Sequence, residues 1–135
     1  MESPNKGIRP LDIAVVLLGD LAVFLVFVAL GKTEHGIIQV RAILRTALPF
    51  AVVWCTISPW LGAYKASTLY GLKTTAWKIL LIWILCGFIA VLVRSLVTDR
   101  PLTLAFALIA IAVQGALIVI WRSVFMIVSR RLSRQ

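Results

Sequence analysis

Residues 11–31 read LDIAVVLLGDLAVFLVFVALG, an almost unbroken apolar run with Asp12 near its start and Asp20 at its middle. Crossing the hydrocarbon core of a bilayer takes about 20 residues of helix, and this stretch supplies them in one piece. Three further runs of similar character follow at 42–64, 76–97 and 102–128. Backbone groups in hydrocarbon must bond within the fold, which leaves helices or a closed barrel. Continuous apolar runs, rather than short alternating ones, select helices. The sequence therefore predicts an all-α polytopic membrane protein, a single transmembrane domain over residues 1–135 built as a bundle of four transmembrane helices. The first run is too long for the apolar region of a secretory signal, and GKTEHG at 31–36 offers no small-residue cleavage site.

Composition agrees. The chain is 61% hydrophobic and only 14% charged, with a mean hydropathy of +1.03; soluble domains are nearer half apolar and a quarter charged. A net charge of +9 would raise nucleic acid as a partner for a soluble protein. Here the placement of the charges matters more, and no nucleic-acid role is expected. With four crossings, Lys6, Arg9, Lys65, Lys73, Lys78, Arg122, Arg130, Arg131 and Arg134 fall on the side of the termini, against Lys32, Arg41, Arg45, Arg94 and Arg100 opposite. The positive-inside rule then puts both termini in the cytoplasm. Trp60, Trp77 and Trp121 are expected at that same membrane border, and the C-terminal arginines are expected to meet anionic lipid headgroups.

Within the second run, Pro49 and Pro59 each remove a backbone donor and crowd the preceding turn. Pro49 is the candidate helix kink, whereas Pro59 sits where the chain leaves the membrane. KASTLYGLKTT at 65–75 reads as a polar, flexible linker, and TDRP at 98–101 as the tight turn of an antiparallel hairpin. Ala47, Ala51 and Cys55, and Ala112 with Ala116, lie at the spacing that lets helices approach closely. Cys55 and Cys86 match no metal or redox spacing and read as small packing residues, as Trp54 and Trp83 read as packing or lipid-facing.

The polar residues at membrane depth are the candidate site. A bare carboxylate in hydrocarbon is costly, so Asp20 calls for a proton, a cavity or a partner. At 1.5 Å per residue, Gln114 is placed level with it and Arg94 within reach after a tilt. Asp12 is placed level with Arg122, as a structural ion pair. Asp12 and Asp20 are eight residues apart and share a helix face, which suits either a proton pathway or two buried structural contacts. His35, the one histidine, is the candidate loop ligand, although a lone histidine makes no metal site. No serine-hydrolase, zincin or phosphate-loop motif is present. No enzyme activity and no cofactor is expected.

The residues Gly19-Asp20, Gly31 with His35, TALPF at 46–50, Trp77, Gly87 through Arg94, and Trp121-Arg122 together resemble an uncharacterised membrane family, domain of unknown function 3054. That family is found in actinobacteria, cyanobacteria and some archaea, and the resemblance covers residues 11–125. The second run looks most like the cyanobacterial branch. The resemblance implies a small polytopic membrane protein and marks Asp20, His35, Pro49, Arg94 and Arg122 as motif positions, without an activity. Relatives in other branches carry a basic residue and then SH after the glycine, whereas this chain has GKTEH. Two functions follow as expectations: a non-catalytic accessory or structural subunit of a membrane assembly, or a small proton-coupled transporter acting as a homodimer with Asp20 as proton carrier. The membrane is expected to be a bacterial plasma membrane, or a thylakoid for a cyanobacterial chain.

Overall fold

Pro10 opens the first helix, where a missing N–H costs nothing, and Asp12 in its first turn faces the positive end of the helix dipole. The computed structural model describes residues 7–33, 40–99 and 101–132. Its helices are α1 (Pro10–Thr33), α2 (Val40–Ile57), α3 (Ala66–Tyr70), α4 (Leu72–Thr98) and α5 (Leu104–Leu132), and among the described residues there is no strand. Four of these helices, all but α3, are long and apolar enough to cross a membrane. The chain is an all-helical membrane protein. His35 lies outside the described residues.

The long helices close into a ring. α1 packs on α2 and α5, and α4 packs on the same two, so α1 and α4 stand on opposite corners. Aromatic rings fill the middle. Trp83 of α4 stacks on Phe24 of α1 at 5.5 Å and on Phe50 of α2 at 6.3 Å, and lies tilted against Trp54 at 5.8 Å. Both tryptophans are fully buried, so they are packing residues and do not face lipid. Trp83 also donates its indole N–H to the Ile111 carbonyl at 2.8 Å. The outer faces, by contrast, expose Leu18, Leu25, Leu48, Val52, Leu81, Leu108 and Ile120, a coat suited to acyl chains.

Several boundaries differ from those expected. α2 ends at Ile57, not at residue 64, because Pro59 has no N–H to continue the ladder. It runs as one helix through Pro49, which is buried inside it; the break in this segment comes at the second proline, ten residues later. The linker at 65–75 is ordered: after a turn it forms α3, whose Thr68 and Leu69 are buried, and α4 starts at Leu72. The Thr75 hydroxyl bonds the Thr68 carbonyl and, at 2.6 Å, the Gly71 carbonyl, holding α3 to the start of α4. The α4–α5 hairpin is tight as expected, with Asp99 in the left-handed conformation that closes α4. Ala112 and Ala116 are exposed and so do not pack within the ring.

α5 runs to Leu132, four residues beyond the expected end, and this changes the depth of everything on it. Trp121 lies against α1, donating to the Val16 carbonyl at 3.3 Å. It is therefore half-buried against α1, whereas Trp60 and Trp77 are 87% and 67% exposed. The start of α1 and the last turn of α5 meet at α3: Tyr70 donates to Asp12 at 2.7 Å, and Arg130 donates to the Tyr70 carbonyl at 2.5 Å.

Gly19 makes the α1–α5 approach possible, since a Cβ there would lie 1.9 Å from Trp121 Cε2. Gly19→Ala should lower stability by about 1–3 kcal/mol, the usual cost of overpacking. Gly31→Ala, with nothing within 4 Å, should leave it unchanged or slightly raised. Thermal unfolding of the detergent-solubilised protein distinguishes the two.

Candidate functional site: a buried carboxylate–guanidinium centre

Four separate segments of the chain build the centre. α1 carries Asp20 inward, and α5 brings Arg122 against it. α2 contributes Trp54, and the turn beyond α2 contributes Ala63 and Tyr64. That turn exists because Pro59 halts the helix and Gly62 adopts a φ of +84°, a region closed to most side chains. The Gly62 amide bonds the Pro59 carbonyl at 3.1 Å and the Ala63 amide bonds the Ser58 carbonyl at 3.0 Å. The chain is thereby folded back, with Ala63 buried under the end of the ring.

Asp20 is 0% exposed and Arg122 1%. The guanidinium meets the carboxylate side-on, Nε donating to Oδ1 at 3.1 Å and Nη2 to Oδ2 at 2.5 Å. Its remaining terminal nitrogen, Nη1, donates to the Ala63 carbonyl at 2.7 Å. Oδ2 accepts further bonds from Trp54 Nε1 at 3.0 Å and from the Tyr64 hydroxyl at 3.1 Å. The guanidinium carbon lies 4.7 Å from the centre of the Tyr64 ring and 5.8 Å from that of Trp54. Taking two charges out of water is offset only when the geometry is good and the remaining lone pairs and protons are used. Here a bidentate fork, three neutral partners and two aromatic faces meet that condition. The Tyr64 phenol is pushed up from its ordinary range by burial and then by the Asp20 charge.

This arrangement corrects two expected pairings. Arg122 pairs with Asp20, not with Asp12; because α5 continues to Leu132, Arg122 lies more than two turns inside it and reaches the middle of α1. Asp12 is held instead by Arg9, whose Nε and Nη2 donate at 3.0 and 2.8 Å, and by Tyr70. Gln114 is buried but does not bond Asp20: it precedes Arg122 by eight residues, about 12 Å along the helix. Arg94 is also elsewhere, stacked 3.9 Å over the Phe106 ring and lining a cavity with Val28, two turns beyond Asp20 on α1.

Trp54, Ala63, Tyr64 and Tyr70 were not singled out from the sequence as partners of a carboxylate. The signal for the first was its mid-helix depth, comparable with that of Asp20. For Ala63 and Tyr64 it was the Pro59…Gly62 spacing, which marks a reverse turn. Nothing in the sequence pointed to a backbone carbonyl as the third ligand of Arg122.

The fold and the site together define a small four-span membrane protein with a charged pair sealed at its centre. Residues 17–125 match the family described as "Protein of unknown function (DUF3054)", and the chain belongs to that family. The matched span runs from just before Asp20 to just after Arg122, so it encloses the whole centre. No curated protein matches the chain. No solved structure matches it either.

Two predictions follow from the bonding. Arg122→Gln should destabilise the protein by about 3–5 kcal/mol by leaving a buried carboxylate without its cation. Arg122→Gln combined with Asp20→Asn should cost clearly less than the sum of the single changes; additive unfolding energies in a double-mutant cycle would show that the two residues are not coupled. At the other cluster, burial and the bond to Asp12 push the Tyr70 phenol from 10 up to about 12. The folded protein then holds a proton between those values that the unfolded chain releases, so stability falls as pH rises from 10 to 12. Tyr70→Phe should flatten that fall in a pH series of melting temperatures.

Proposed function

We propose that this protein is a non-catalytic accessory or structural subunit of a membrane assembly. The observation that supports this reading is the closure of the Asp20–Arg122 centre. Both carboxylate oxygens accept hydrogen bonds, the donors come from three side chains, and the pair is buried from solvent. A carrier that loads and releases a proton has to open such a site at each cycle, and here opening would break the contacts that join α1, α2 and α5. A centre of this kind serves better as a lock that sets how the helices pack. The outward faces, apolar and with Ala112 and Ala116 exposed on α5, are where lipid, a second copy or a larger membrane complex would sit. A bacterial plasma membrane, or a thylakoid for the cyanobacterial branch, is the proposed location.

The second reading is a proton-coupled transporter acting as a homodimer, with Asp20 as the carrier. It draws on the mid-membrane depth of Asp20 and on the unwound segment at residues 58–65 beside it. Asp20→Asn separates the two. For a lock, the variant melts at lower temperature, and proteoliposomes of the parent protein show no proton flux that depends on residue 20. For a carrier, the variant melts like the parent and abolishes a measurable proton flux. A pH-sensitive dye inside the vesicles and a thermal melt on the same preparation give the answer.

A further inference from the structure

At one end of the ring α1 and α4 begin and α2 and α5 finish, and the turn between Pro59 and Gly62 lies there. Two lysines converge on that turn. The Lys65 stem passes over Gly62, its Cδ and Cε 3.1 and 3.3 Å from the point where a Gly62 Cβ would stand, and the Lys78 ammonium lies 3.3 Å from the same point. Lys65 comes from the segment after α2 and is exposed, whereas Lys78 is half-buried on the second turn of α4. Gly62 allows their meeting in two ways. Its φ of +84° folds the chain back, and its missing side chain leaves the space that both lysines enter.

Neither ammonium has a hydrogen-bond or ion-pair partner among the described residues. The described carboxylates are committed or remote: Asp12 is bonded by Arg9 and Tyr70, Asp20 is sealed against Arg122, and Asp99 closes the opposite end of α4. Two positive charges held over one turn repel each other, and an anion placed between them relieves that repulsion. The surroundings say which kind of anion. Trp60 stands two residues before Gly62 and Trp77 one residue before Lys78, both largely exposed, and tryptophans at the ends of spans mark headgroup level. Further along α4, Leu81 and Leu85 share the face of Lys78 at helical spacing, and both are exposed. Charge at headgroup depth beside an apolar outer face fits a molecule with an anionic head and an acyl tail.

We propose that Lys65 and Lys78, brought together over Gly62, bind the phosphate headgroup of an anionic membrane phospholipid, with an acyl chain along Leu81 and Leu85. Lysine binds phosphate as a compact point charge, and basic residues beside a span draw anionic lipid. The site bears on the buried centre, because the same turn carries the Ala63 carbonyl that accepts from Arg122 and the Tyr64 hydroxyl that donates to Asp20. A headgroup shared by Lys65 and Lys78 joins that turn to α4 and steadies the two groups that complete the shell. The inference is independent of whether Asp20 serves as lock or carrier, because neither lysine bonds a member of that centre.

Native mass spectrometry of the full chain in detergent, titrated separately with phosphatidylglycerol, phosphatidylcholine and inorganic phosphate, tests it. Phosphatidylglycerol should bind at lower concentration than phosphatidylcholine. Lys65→Gln and Lys78→Gln should each weaken that binding about fivefold, the attraction of one basic residue to an anionic surface. Arg131→Gln, an exposed change at the same end of the ring, should leave it unchanged. Phosphatidylglycerol should also raise the melting temperature of the parent protein, and not that of Lys65→Gln combined with Lys78→Gln. Lys65 is exposed, so Lys65→Gln provides a folded variant even if Lys78→Gln fails to fold. Equal binding of the two lipids would overturn the proposal. So would an equal loss with Arg131→Gln, the mark of diffuse surface charge, or binding of inorganic phosphate as tight as that of the lipid.

Discussion

One charged pair governs this molecule. A carboxylate placed at the middle of an apolar helix cannot be left to hydrocarbon, and Asp20 therefore imposes a demand on every element around it. α5 must present Arg122 at the right depth, α2 must present an indole, and the chain must turn back after α2 so that a carbonyl and a phenol can complete the shell. Each donor comes from a different part of the chain. The pair thus ties together segments that are about 100 residues apart and fixes their heights relative to one another.

The aromatic core works with the pair. Trp54 belongs to both, donating to Asp20 through its ring nitrogen while its ring packs against Phe24 and Trp83. Trp83 extends the contact to α4 and bonds back to α5. Small residues give these large rings their space: Gly115 faces Trp83 and Gly19 faces Trp121, each too closely for a Cβ without a shift. In a bilayer, where no hydrophobic effect drives one helix onto another, such packing and interhelical hydrogen bonds are the available forces. The polar cluster of Arg9, Asp12 and Tyr70 then secures one end of the ring, and Arg45 bridges α2 and α4 at the other.

The contrast between the two polar regions carries the functional reading. Around Asp20 the donors and acceptors are matched and sealed. Around Arg45 and Arg94 the described walls are mostly apolar and enclose about 660 Å³. A region of the first kind holds a structure in place.

Length and hydropathy alone determined the four spans, their helical class and the shared side of the two chain ends, because a bilayer leaves few alternatives to a chain this apolar. The need of Asp20 for a buried polar partner was also legible, since a charge within such a run has few other uses, whereas Arg122 was expected beside Asp12 and not in that site. Their pairing was not. It depends on the register of α5 against α1, which is set by where α5 ends and by Trp121 seating on Gly19, and a depth scale built from the wrong end point shifts the partner from Asp20 to Asp12. The roles of Ala63 and Tyr64 needed the turn between Pro59 and Gly62, and the cavity beside Arg45 and Arg94 needed α2, α4 and α5 side by side. Sequence sets which residues must leave water; only the packed helices decide which of them meet.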